Sequence, residues 1–293
     1  METQSQQRQL IINGDDFGFS SGANQAIIDA HLRGVLTSTS LMVTGDAFEE
    51  AVALAEAHPT LAVGLHLVLA CGRSVLPPTQ IPHLVDAQGR FSSQPETVGL
   101  YYQFSRAARR ELPLEIQAQL EKFHQTGLPL SHVDGHVHVH VQPVVLHQLV
   151  NLAEAFKIRF IRLPYEEASI ALNADSSDWV IKRLLSFVYA GLRLYGKRLL
   201  QAHGIQYVDR VYGLLHSGRM TEDYLLKLIP QIQANRVELY AHPAIARPGE
   251  PANEAFGLGQ AERDALMSDR VRAVIHNQGF ELTNYRHLGV TSR

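Results

Sequence analysis

The chain has 293 residues, 45% of them hydrophobic and 19% charged, enough for a large core in one barrel-sized domain or two smaller ones. A formal net charge of −3 offers no basic surface for nucleic acid, and a lone cysteine, Cys71, excludes an intrachain disulfide framework and fits a reducing, cytoplasmic setting. The start METQSQQRQL is polar, without the apolar core of a signal peptide, and no apolar run is long enough to span a bilayer.

Short apolar runs alternate with helical patterns. Leu10–Ile12 reads as a strand leading into the turn-like segment 13–18, and Ser20 or Ser21 caps a helix that runs to Arg33 and stops at Gly34. Residues 37–43 predict a strand, 46–58 a helix ended by Pro59, and 61–69 a strand covered on both faces. Residues 70–110, with Pro77, Pro78, Pro82 and Gly89, read as a long irregular insertion of the kind that tends to be functional. A helix is expected over 113–126, and a second over 143–156 with proline in its first turn. A strand follows at 158–163, a long helix at 177–203 closed by Gly204, and short strands at 205–208 and 211–215. A helix at 221–234, a strand at 237–241, a helix at 260–277 and a last strand at 280–282 complete the pattern. Such alternation predicts a parallel α/β sheet, and about seven units suggest a closed or nearly closed (β/α) barrel. No linker divides the chain, so residues 9–285 read as one domain, with 1–8 as a disordered N-terminus and 286–293 as a C-terminal tail.

Between two of these helices lies HVDGHVHVHV, residues 132–141. In an extended strand, His132, Asp134, His136, His138 and His140 would share one face and the valines the other. Four imidazoles beside a carboxylate point to a metal or proton site more than to a surface strand. Asp15, Asp16, His66, His136 and His242 all fall late in or just after apolar runs, where a barrel gathers its strand ends at one mouth.

Asp15 and Asp16 are neighbours, so a regular strand would point them to opposite faces; a bend just before Gly18 could turn both to the mouth. They are too close in sequence to flank a glycosidic bond as a glycosidase pair. One Asp with two His from other strands is a common metal set that leaves positions open for water and substrate. With Asp16, His66 and His136 as ligands, Asp15 is left as a base, and Asp134 could orient His136 from behind. His138 and His140 lie further along that face. His242, at a strand end before Pro243, is a candidate general acid, Ser217 and Gly218 could shape the rim, and Cys71 reads as a small buried or rim residue.

The segments LIINGDDFGFSSGANQAI, TSTSLMVTG, VGLHLVL, SHVDGHVHVHVQP and ELYAHPA are similar, in the same order, to those of the YdjC-like (ChbG-type) carbohydrate deacetylases, from about residue 9 to residue 246. The family's usual N-A-D-D-F-G has Gly14 here in place of Ala. GRSVLPPTQIPHLVDAQGRF and VYGLLHSGRMTEDYLL resemble the hopanoid biosynthesis-associated HpnK branch. The resemblance implies a distorted (β/α) barrel and one divalent metal, Mg2+ or Zn2+, held by Asp16, His66 and His136. It also implies Asp15 as the base, His242 as the acid, and His138 and His140 as non-ligands. The implied reaction is hydrolysis of the N-acetyl group of an N-acetylglucosamine-type sugar, on a hopanoid glycolipid or a soluble chitooligosaccharide.

Residues 179–200 are basic, aromatic and amphipathic, a pattern that suits either a barrel helix with a solvated basic face or peripheral contact at the inner membrane face. A metal-dependent phosphoesterase and a non-catalytic sugar- or lipid-binding barrel are the alternative readings; a homodimer is compatible with the sequence, which sets no oligomeric state.

Overall fold

The computed structural model of the protein describes residues 8–251 and 256–288. Seven parallel strands form one sheet: Arg8–Phe17 (β1), Ser38–Leu41 (β2), Ala62–Leu67 (β3), Val133–Gly135 (β4), Arg210–Tyr212 (β5), Arg236–Ala241 (β6) and Phe280–Thr283 (β7). The order is β4-β3-β2-β1-β6-β5. β1 is long enough to serve three neighbours, β6 along Gln9–Gly14, β7 beside its first residues and β2 beside its last. Between β4 and β5 the ring is carried by isolated bridges, Val133 to Ile161, Phe160 to Gln206 and Tyr165 to Val211. The result is a single-domain, distorted and incomplete (β/α) barrel, as the alternation predicts.

Among the described residues ten helices surround the sheet: Ser21–Arg33 (α1), Phe48–Ala57 (α2), Pro95–Phe104 (α3), Arg106–Gln125 (α4), Pro143–Leu152 (α5), Ala168–Ala174 (α6), Trp179–Ala202 (α7), Glu222–Leu228 (α8), Gly259–Leu266 (α9) and Asp269–Asn277 (α10). Ser20 caps α1 by accepting the Ala23 N–H, and Gly34 follows its last turn, as expected. A Cβ on Gly14 would stand 2.8 Å from Leu36 Cδ1 and 3.0 Å from Ile27 Cγ1, so the glycine lets α1 lie close to β1.

Several elements differ from expectation. The irregular 70–110 segment contains α3 and the start of α4, whose Ser105 cap accepts the Ala108 N–H; Pro113 lies inside α4 rather than opening it. The 158–163 strand shrinks to bridges because β4 offers it only three residues. The 260–277 helix is broken at Ser268, which accepts the N–H groups of Arg270 and Val271 and so starts a new helix. α6 has no counterpart in the sequence reading.

The largest correction concerns the histidines. The strand ends at Gly135, and His136–Val141 form a 3₁₀ stretch with Val137 and His138 at φ 47° and 56°. Two successive left-handed residues reverse the chain, so His132, Asp134, His136, His138 and His140 do not share a face. Arg8 already pairs with Phe280 in the sheet and Leu288 is buried, so both belong to the packed body. Most of the expected N-terminal tail and the last five C-terminal residues lie outside the described residues.

Candidate active site at the barrel mouth

The last turn of β1 brings both aspartates inward. Its register against β2 shifts between Gly14 and Phe17, and Asp16 sits at φ 65°, a conformation Asp tolerates better than most residues. Asp15 stays on the face of Asn13, whose Nδ2 donates to its Oδ1 at 2.8 Å. Asp16 turns the other way, with Oδ1 3.0 Å from His136 Nδ1 and 3.2 Å from His66 Nε2.

His66, near the end of β3, is held from behind by Asp134 Oδ1, 2.8 Å from its Nδ1. That contact holds a proton on Nδ1 and aims Nε2 at Asp16. Asp134 therefore backs His66, not His136 as expected, because β3 and β4 pair His66 with Asp134 directly. Asp16 Oδ2 and His66 Nε2 are buried without a hydrogen-bond partner among the described residues. Burial opposes a charged His66 ring, yet Asp134, Asp16 and Asp15 outweigh it and raise the imidazole to about 10. Burial likewise opposes an ionised Asp16, and His136 and His66 hold it below the usual carboxylate range. The carboxylates create a demand for positive charge at one point.

His132 is pressed against β3, and a Cβ on Gly64 would lie 2.4 Å from its ring, so the glycine makes its room. The His132 ring stacks on Tyr285 at 4.0 Å between centroids. His138 Nε2 meets the Tyr240 hydroxyl at 2.8 Å, and His140 Nε2 meets Arg162 O at 3.0 Å. Burial, followed by the Arg162 charge, lowers His138 well below its ordinary value, and burial takes His140 down to about 4. Both stay neutral near pH 7.

The centre of the site is a residue to which the sequence reading gave no role. Arg162 is fully buried and makes a two-pronged pair with Asp15, 2.7 Å on each arm. The same guanidinium lies 2.8 Å from Asp134 Oδ2 and 2.6 Å from Glu238 Oε1. Glu238 is also hydrogen-bonded by the Tyr285 hydroxyl. Burial opposes the Arg162 charge, but Asp134, Asp15 and Glu238 raise it well above its ordinary range. A signal was present: Arg162 and Glu238 interrupt apolar strand-like runs, and a charge in a strand covered on both faces needs an interior partner.

Asp15, His66, His136, His138, Tyr240 and His242 open onto one cavity of about 350 Å³, with Cys71, Val137, Leu214 and Phe256 on its apolar wall. His242 follows β6, and its Nδ1 has no hydrogen-bond partner among the described residues. Two buried glutamates hang the opposite rim. Glu166 accepts the N–H groups of Gly213 and Leu215, and Glu262 accepts those of Met220 and His242. Between these anchors Ser217 and Gly218 line the cavity, as expected for a rim loop.

Burial raises Glu166 to about 7, against the opposing pull of the Leu215 and Gly213 N–H groups. A folded-state value above the unfolded one means that the native state holds a proton the unfolded chain releases. That stability is present below about pH 4.5 and is lost as pH rises toward 7. Glu166→Gln mimics the protonated form. From pH 5 to 8, wild type should lose about 1–3 kcal/mol relative to this variant, read from paired denaturant melts. A difference independent of pH would show that Glu166 is ionised throughout.

A profile of the YdjC-like protein family matches residues 9–277. The carbohydrate deacetylase of Brevibacillus brevis is 43% identical over 281 residues, covering 96% of this chain and 99% of the relative. The chitooligosaccharide deacetylase of Serratia marcescens is 30% identical over 291 residues, covering 95% and 98%. A crystal structure from Enterococcus faecalis V583, of a candidate cellobiose-phosphate cleavage protein, superposes with a TM-score of 0.73 at 26% identity, covering 96% of this chain and 99% of that one. The chain belongs to the YdjC-like family.

Proposed function

We propose that the protein is a metal-dependent carbohydrate deacetylase that hydrolyses the acetamide of an N-acetylglucosamine-type sugar to acetate and a free amine. The observation that carries the reading is the convergence of Asp16, His66 and His136 on one point, beside a separate carboxylate, Asp15, in the same cavity. The relatives' names support the substrate class.

The donor set suits one divalent ion, Zn2+ or Mg2+. Its ligand atoms lie within 4.8 Å of one another, and two of its polar atoms are buried and unpartnered. A second group, Asp15, His66 and Asp134, also comes within that distance, but Asp15 and Asp134 both face the Arg162 guanidinium. A fixed cation already stands where a second metal would, which favours the deacetylase over a two-metal phosphoesterase. When bound, the metal would supply a Lewis acid for the amide carbonyl and an acidified water. Asp15, held in one orientation by Arg162, takes a proton from the attacking water. His242, which lines the same cavity, gives a proton to the nitrogen as the C–N bond breaks. Tyr240 and His138 line the same cavity, with the Tyr240 ring 5.2 Å from His138 and 5.7 Å from His242.

His66→Ala and His136→Ala should each lose bound metal and turnover together, with metal content read by plasma emission on the folded variants. Retained stoichiometric metal in both would place the ion elsewhere. The central test is acetate release from chelated protein with metal added back. Chitobiose-type sugars and an N-acetylglucosaminyl hopanoid are offered side by side. We propose the lipid-linked sugar as substrate, on the similarity of residues 72–91 and 211–226 to the hopanoid-associated branch. Release from the soluble sugar alone would keep the chemistry and discard the lipid. Release from neither, with metal bound, would remove the deacetylase reading.

A further inference from the structure

The helix α7 packs Leu192, Tyr195, Leu199 and Leu200 against the core, yet it also turns polar residues inward and a second apolar stripe outward. Its buried face carries Lys182, Ser186 and Arg193, and each is committed to the protein. Lys182 Nζ donates to Asp175 O and Oδ2 at 2.6 and 2.7 Å, Ser186 to Glu166 O at 3.0 Å, and Arg193 to the carbonyls of Leu163, Val208 and Asp209 at 2.6–2.7 Å. These bonds lock the helix's rotation. The opposite face then turns Trp179, Ile181, Leu184, Phe187, Val188 and Leu194 outward, with Phe187 78% and Leu184 60% exposed. A helix covering a sheet ordinarily keeps its outer face polar. A contiguous apolar surface of this kind marks an interaction site.

We infer that this face seats the protein on an anionic lipid surface. The charge of the helix selects that occupant. Arg183 and Arg198 are exposed beside the apolar stripe, and residues 179–202 contain no Asp or Glu. A second copy laid face to face would bring like charges together, whereas anionic headgroups complement them. Trp179 supplies an aromatic group of the type that settles at a membrane–water boundary. Among the described residues no helix is long and apolar enough to cross a membrane, so the contact is peripheral.

Through its inner side the helix also reaches the cavity. Tyr189 packs edge-on against His138 at 5.9 Å, and Asp178, just before the helix, pairs with Arg219, which stacks on Phe256 of the cavity wall. The inference stands on exposure and charge, independently of the deacetylase reading.

The test is flotation of the full chain with phosphatidylcholine vesicles, with and without phosphatidylglycerol. Wild type should float only with the anionic vesicles, and less as salt rises. Leu184→Glu/Phe187→Glu should weaken binding by at least about tenfold, and Arg183→Glu/Arg198→Glu should remove the preference for anionic lipid. Both pairs are exposed, so unfolding temperature and turnover of a soluble sugar should stay unchanged. Equal flotation of wild type and the apolar-face variant, or flotation of neither, would overturn the proposal. So would a dimer in sedimentation that Leu184→Glu/Phe187→Glu dissolves without any vesicle binding.

Discussion

Asp15→Asn should lower kcat by about 10²–10⁴-fold and leave metal content unchanged. Asp15 lines the cavity and is not one of the three converging residues Asp16, His66 and His136, so the amide keeps the shape and one acceptor oxygen, gives up one arm of the Arg162 pair, and loses the ability to take a proton. Asn13 and Arg162 still have an oxygen to donate to, and Arg162 keeps its pairs with Asp134 and Glu238. The fold should therefore survive, which makes the kinetic loss interpretable. Activity within a few-fold of wild type would move the base role elsewhere, with His242 the first alternative.

Arg162→Met should destabilise the protein by about 3–5 kcal/mol, because it leaves three carboxylates buried without their cation. For a chain of this size that corresponds to a fall in unfolding temperature on the order of 10 °C. Turnover should be lost as well, since Asp15 is no longer held. Arg162→Lys separates the two effects. It keeps the charge, so part of the stability returns, but a single ammonium cannot grip Asp15 on both oxygens, so turnover stays low. A loss below about 1 kcal/mol for the methionine variant would mean that the cluster is solvated, and a fully active lysine variant would remove the positioning role.

Residue types and spacing were enough for the parallel barrel, the β1 and β3 ends with their aspartates and His66, the cap of α1, and the placement of His242 after β6. These are local signals: an apolar run, a capping serine, a polar residue at the end of a strand. The same local logic failed at residues 132–141, where perfect alternation of His and Val predicted one extended strand. Periodicity describes which face a side chain takes if the strand continues; it carries no information on where the partner strand stops supplying hydrogen bonds.

Arg162 shows the other limit. Its role exists only because β1, β4, the 159–165 segment and β6 bring Asp15, Asp134 and Glu238 to one guanidinium across 147, 28 and 76 residues of chain. The outward apolar face of α7 is of the same kind. Its amphipathic pattern was plain in the sequence, yet the pattern alone does not say which face turns inward. The hydrogen bonds of Lys182, Ser186 and Arg193 to carbonyls and an aspartate of neighbouring segments decide that. By itself the sequence determined the family, the barrel and the chemical types at its mouth. The tertiary structure decided which charges meet in a space without water, because burial makes an unpaired charge too costly to leave alone.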